Sequence, residues 1–181
     1  MPDHTLILMT RYEELCKAYA KNLTDFRTYK ETCYRFALTL MEELKQEFNI
    51  PNDRLKLRSK DDPKEVTENM LEAMDMQKDT FWHIRFSITV CADMDEQLKE
   101  SMSFEISIKR VAAYFILAIP NEREFTIAEI DNGKYDFSDF FEYLFHSLKT
   151  FYEQELERFL VTTPNAKKEQ SPIGFRFDVI D

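Results

Sequence analysis

The sequence predicts an α+β fold in which an antiparallel β-meander is packed on one face by long helices. Three observations predict it. Residues 10 to 48 contain no glycine or proline and repeat apolar residues at helical spacing. Residues 82 to 90 and 102 to 108 alternate apolar and polar side chains with a period of two. Residues 137 to 159 return to helical spacing, with an aromatic-rich face. Helices that precede and follow a run of strands, rather than alternating with them, are the pattern of a two-layer α+β domain. At 181 residues the chain is expected to form one domain, 1–181.

The first helical region spans about 10–48. Its apolar positions include Tyr12, Leu15, Cys16, Tyr19, Leu23, Phe26, Cys33, Phe36, Leu40, Leu44 and Phe48. Thr28 followed by Glu31 resembles a capping box, with Thr24 and Asp25 as alternative caps. Either two helices with a break between Thr24 and Thr28 or one kinked helix is therefore expected. Pro51 ends the region, because the residue before a proline is disfavoured in the helical conformation. Arg54 to Lys60 alternates basic and apolar residues, as a short edge strand does. Asp62-Pro63-Lys64-Glu65 reads as the start of a helix running to about Gln77.

The strand expected over about 80–92 places Trp82, Ile84, Phe86, Ile88 and Val90 on one face. The next, over about 101–119, places Met102, Phe104, Ile106 and Ile108 likewise, with a bulge or bend near Lys109-Arg110 where the alternation slips. Matching the apolar faces pairs Ile88 with Ile106, Phe86 with Ile108 and Val90 with Phe104. Pro120-Asn121 makes a turn into a third strand at about 124–130. Asp136 caps an aromatic-rich helix over about 137–160. A polar linker at about 162–172 and a C-terminal strand at 173–179 complete the chain.

Composition narrows the function. The chain carries 24 basic against 34 acidic residues, a net charge of −10. That balance argues against nucleic acid and anionic membrane as partners, since both attract basic surfaces. Three widely spaced cysteines, Cys16, Cys33 and Cys91, fit neither a zinc motif nor a disulfide framework, so reduced thiols and a cytoplasmic location are expected. Only two glycines are present, Gly133 and Gly174, too far apart to form a phosphate-binding loop. No cofactor is expected. The acidic run Asp93-Met94-Asp95-Glu96 lacks the glycine and downstream spacing of a calcium loop, and no metal is expected there.

Two candidate surfaces remain. The polar face of the 81–109 hairpin gathers His83, Arg85, Ser107 and Lys109. An ionisable ring, two cations and a hydroxyl are enough to orient an anionic ligand, though an ordinary solvated sheet face has the same composition. Cys91 lies about 26 Å along the strand from His83, too far for a nucleophile–base pair. The second surface is the aromatic helix. Phe140, Tyr143, Phe151 and Tyr152 supply more aromatic area than one buried side needs, and aromatics are enriched at interface cores. The leading expectation is a non-catalytic protein-interaction module of the inhibitor, immunity, chaperone or adaptor type. It would bind another protein, or a second copy of the chain, through that helix or a sheet edge. The alternative is a small-molecule-binding or hydrolytic domain using the polar hairpin face.

Overall fold

The computed structural model describes residues 9–92, 98–131 and 133–161. In chain order these form α1 (Arg11–Glu47), β1 (Leu55–Arg58), β2 (Val66–Thr67), α2 (Met70–Ala73), β3 (Met74–Met76), β4 (Trp82–Cys91), β5 (Lys99–Val111), β6 (Tyr114–Ile119), β7 (Arg123–Asp131), β8 (Lys134–Tyr135) and α3 (Ser138–Val161). The expected α+β architecture with an antiparallel sheet is present. The expected linker and C-terminal strand, 162–172 and 173–179, and the acidic run from Asp93 lie outside the described residues. The chain divides into two units, Met1–Thr32 and Cys33–Asp181.

In the first unit, a capping box starts α1. The Glu13 carboxylate accepts the Thr10 N–H at 2.7 Å, and the Thr10 hydroxyl accepts the Glu13 N–H at 3.3 Å. The break expected between Thr24 and Thr28 does not occur. The hydroxyls of Thr24, Thr28 and Thr32 donate to the carbonyls of Ala20, Thr24 and Thr28 at 3.1, 3.1 and 2.8 Å. Bonded back into the preceding turn, they cap nothing, and the helix runs through.

In the second unit, the α1 stripe Cys33, Phe36, Ala37, Leu40 and Leu44 is buried. The helix closes on Asn49, whose φ of 50° is the left-handed conformation of a C-terminal cap, with the Ile50 N–H bonded to the Lys45 carbonyl at 2.9 Å. The sheet order is β2-β1-β4-β5-β6-β7-β8, with β3 also paired to β4. Its apolar face carries Ile84, Phe86, Phe104, Ile106, Ile108 and Leu117, all buried. Phe36 stacks on Phe115 at 4.0 Å, and Phe140 of α3 meets Phe125 edge-on at 5.4 Å, so both long helices pack on this side.

Four details depart from the sequence-based expectations. The β4–β5 ladder pairs Phe86 with Phe104, Ile84 with Ile106 and Ile88 with Met102, four residues from the expected register. The slip is even, so the faces are kept. The ladder runs out to Cys91 and Lys99, and the observed register stacks Phe86 on Phe104 at 5.2 Å and sets Arg85 opposite Glu105. The bend expected near Lys109-Arg110 is instead a full hairpin. Val111 pairs with Tyr114 across Ala112-Ala113, and Ala112 adopts a φ of 52°. No glycine, asparagine or aspartate marks this turn, so the sequence conceals it.

The helix expected from Asp62 to Gln77 is replaced by β2, the single turn α2 and β3. Asp62 accepts the Lys64 N–H at 2.9 Å and closes a turn rather than capping a helix. Val66 and Thr67 then pair with Arg58 and Leu57, and Asn69 caps α2 through the Leu71 N–H at 3.0 Å. Met74 and Met76 pair with Ile84 and Trp82. The segment 54–60 is a strand as expected, but β1 lies between β2 and β4 and not at an edge.

Candidate functional site

The polar hairpin face brings together the residues expected of it. His83 pairs with Ser107 and Arg85 with Glu105 across β4 and β5, and Lys109 follows on β5. The face is largely covered, although Asp79, His83 and Ser107 line a cleft of about 340 Å³ with the β6–β7 turn. His83 is 7 % exposed and Ser107 and Ser87 are also buried, with Arg58 beside them. Two connecting segments fold over it. Arg58 donates to the Ser87 hydroxyl at 2.9 Å and to the Lys64 carbonyl at 3.0 Å, and Arg85 donates to the Lys60 carbonyl at 3.1 Å. On the other side, Lys109 Nζ lies 2.6 Å from the Thr80 hydroxyl and 5.2 Å from the Phe81 ring centroid.

The His83 ring is held at both nitrogens. Nδ1 lies 2.8 Å from Glu105 Oε1 and 3.2 Å from Ser107 Oγ, and Nε2 lies 2.9 Å from Asp79 Oδ2. Burial pushes its pKa down, but hydrogen bonds to Glu105 and Asp79, with their charges, outweigh burial and raise it. Glu105 is lowered to about 2, chiefly by its hydrogen bond from His83; burial opposes this and Arg85, 2.7 Å away, assists. Asp79 is also lowered: desolvation works against the shift, while the Phe81 N–H and His83 prevail.

Serine, histidine and carboxylate are within reach of one another, as in a nucleophilic triad. The Nδ1 that Ser107 faces is also held by Glu105, at the shorter distance of 2.8 Å. The ring lies between two carboxylates, Glu105 and Asp79, and Arg85 shares Glu105 with it. An anionic ligand would have to displace Glu105 from His83 and Arg85.

The aromatic helix fares differently from expectation. Phe140 is fully buried, and Phe151 is 8 % exposed, so neither has surface to offer a partner. Tyr143 is half-buried: its hydroxyl donates to Glu122 at 3.0 Å, and the Arg123 guanidinium lies 5.3 Å from its ring. Tyr152 lines an apolar cleft of about 460 Å³ with Phe48, Ile88, Met102, Phe104 and Leu148. The charges at that cleft, Lys149 and Glu153, pair with each other at 3.6 Å. A cleft with so few converging polar groups has little to orient a small ligand.

The surface that the sequence reading missed is in the first unit. Tyr12, Leu15, Tyr19, Leu23 and Phe26 are 75, 68, 66, 49 and 49 % exposed. At 100° per residue they fall within an arc of about 80°, so they form one continuous stripe along α1. Periodicity marks such a stripe as a face to be covered, but says nothing of what covers it. Among the described residues, no helix is long and apolar enough to cross a membrane. No protein-family model, curated protein or solved structure matches this chain.

Proposed function

We propose that this chain is a non-catalytic protein-interaction module that docks a partner protein on the exposed stripe of α1. The observation that carries the reading is the stripe itself: five large apolar side chains, three of them aromatic, standing in water on one helix face. Contiguous apolar surface of a few hundred Å² marks an interaction site, and an amphipathic helix offers its partner anchors at this spacing. The His83 cluster supports the same reading, because His83, Arg85, Glu105 and Asp79 are already bonded to one another. The surface stands in place of the α3 face, whose large rings are mostly spent on the core.

A photo-crosslinking amino acid at Tyr19, introduced in the cell that makes the protein, tests this. Protein adducts are expected from position 19 and not from Lys21, which lies about 160° away around the helix. No adducts at position 19, adducts to lipid alone, or equal adducts at both positions would overturn the proposal.

A further inference from the structure

We propose that two copies of this chain pair antiparallel through the first half of α1, with Tyr19 on the two-fold axis. Tyr12 then meets Phe26 of the second copy, and Leu15 meets its Leu23. This deepens the reading above, rests on it, and commits it to one partner.

The argument is self-complementarity. A two-fold axis that crosses the helix needs a surface that matches its own reverse: if one residue touches a second, the second must touch the first. About position 19 the stripe is such a surface, since Tyr12 and Phe26 stand seven residues either side and Leu15 and Leu23 four. The charges flanking the stripe agree. Arg11 and Asp25 lie on one flank of the helix, Glu13 and Arg27 on the other. Antiparallel pairing brings like flanks together, so Arg11 faces Asp25 of the other copy and Glu13 faces its Arg27. Each pair occurs twice by symmetry, giving four attractive contacts. Asp25 also holds Lys21 of its own helix at 2.6 Å, and two carboxylate oxygens suffice for both cations. Parallel pairing would match Arg11 with Glu13 and Asp25 with Arg27 as well, but it aligns the two helix dipoles, which antiparallel pairing opposes.

Charge also separates a protein partner from a lipid one. A helix that lies on a membrane carries a basic polar face. Residues 11 to 31 hold five basic and four acidic side chains, an even mixture. The segment is therefore +1 in a chain whose net charge is −10, and two copies meet where mutual repulsion is least. The five stripe side chains offer roughly 500 Å² per copy, near the lower bound of specific interfaces, so weak, concentration-dependent association is expected.

Sedimentation of the full chain over a hundredfold range of concentration tests the pairing. Dimers are expected at the upper end. Tyr19→Asp is expected to be monomeric throughout with an unchanged urea-unfolding midpoint of the Cys33–Asp181 unit, because Tyr19 is 66 % exposed and no core depends on it. Arg11→Asp should weaken association about tenfold, and adding Asp25→Arg should restore it. A wild-type monomer at every concentration overturns self-pairing. Crosslinks from position 19 to a different protein would then leave the broader reading standing. A dimer indifferent to Tyr19→Asp also overturns the proposal, as does a charge swap that fails to restore pairing. So does a rapid Cys16–Cys16 disulfide, since antiparallel pairing keeps those exposed thiols about 9 Å apart along the axis.

Discussion

Phe36→Ala is expected to destabilise the Cys33–Asp181 unit by about 3–5 kcal/mol. Phe36 has no exposed surface, stacks on Phe115 at 4.0 Å, and presents edges to Tyr135 and Phe137 at 4.8 and 5.4 Å. It is the point where α1, β6 and the start of α3 meet. Truncation removes the transfer energy of the ring and opens a void lined by three aromatic rings that cannot close it without tilting together. A domain of this size has roughly 5–15 kcal/mol in all, so the loss is a large share of it. Urea unfolding followed by tryptophan fluorescence checks this: the midpoint should fall with the slope unchanged, and Phe36→Leu should fall less. A midpoint shift no larger than that of an exposed-site variant would show that this aromatic cluster does not hold the helices to the sheet.

The second large effect lies in the charge cluster. Glu105→Ala is expected to cost roughly 2–4 kcal/mol, because it leaves His83 and Arg85 without the carboxylate they share in a mostly buried setting. The same cluster sets a pH signature. Glu105 has its pKa lowered to about 2 from 4.5, so its contribution is present above 4.5 and is lost as pH falls toward 2. His83 has its pKa raised from 6.5, so its contribution is full below 6.5 and is lost as pH rises through the raised value. Stability from the cluster therefore peaks between about pH 4.5 and 6.5 and declines on either side. Midpoints measured across pH should show this peak in the wild type and a flatter profile in Glu105→Ala. A wild-type profile that rises steadily from pH 5 to 9 would contradict the pairing of His83 with the two carboxylates.

Much of this fold is legible in the sequence because the relevant signals are local. The alternation in Trp82–Val90 and Met102–Ile108 names the buried face of β4 and β5, since every second side chain must share a side. The helical spacing of Phe137, Phe140, Phe141 and Leu144 does the same for α3. What stays hidden depends on partners distant in the chain. The turn at Ala112-Ala113 has no turn residue, and only the pairing of β5 with β6 forces it. Asp62-Pro63 looks like a helix start, yet Val66, Met74 and Met76 gain more as strand partners of β1 and β4. The polar face of the hairpin reads as solvated, because nothing near His83 in sequence shows that the Lys60–Lys64 segment folds over it. The stripe from Tyr12 to Phe26 has the same periodicity as the buried stripe from Cys33 to Leu44. A one-dimensional pattern cannot tell a covered face from one that waits for cover.

The most direct test is amide hydrogen exchange along Arg11–Thr32 at high and low protein concentration. A helix segment with no packing on its apolar face frays and exchanges quickly. If the stripe pairs as described, amides from Tyr12 to Phe26 will be protected at high concentration and lose that protection on dilution, while those of β4 and β5 stay protected at both. In Tyr19→Asp the segment should exchange quickly at every concentration. Protection of Tyr12 to Phe26 that is independent of concentration and unchanged by Tyr19→Asp would contradict the account.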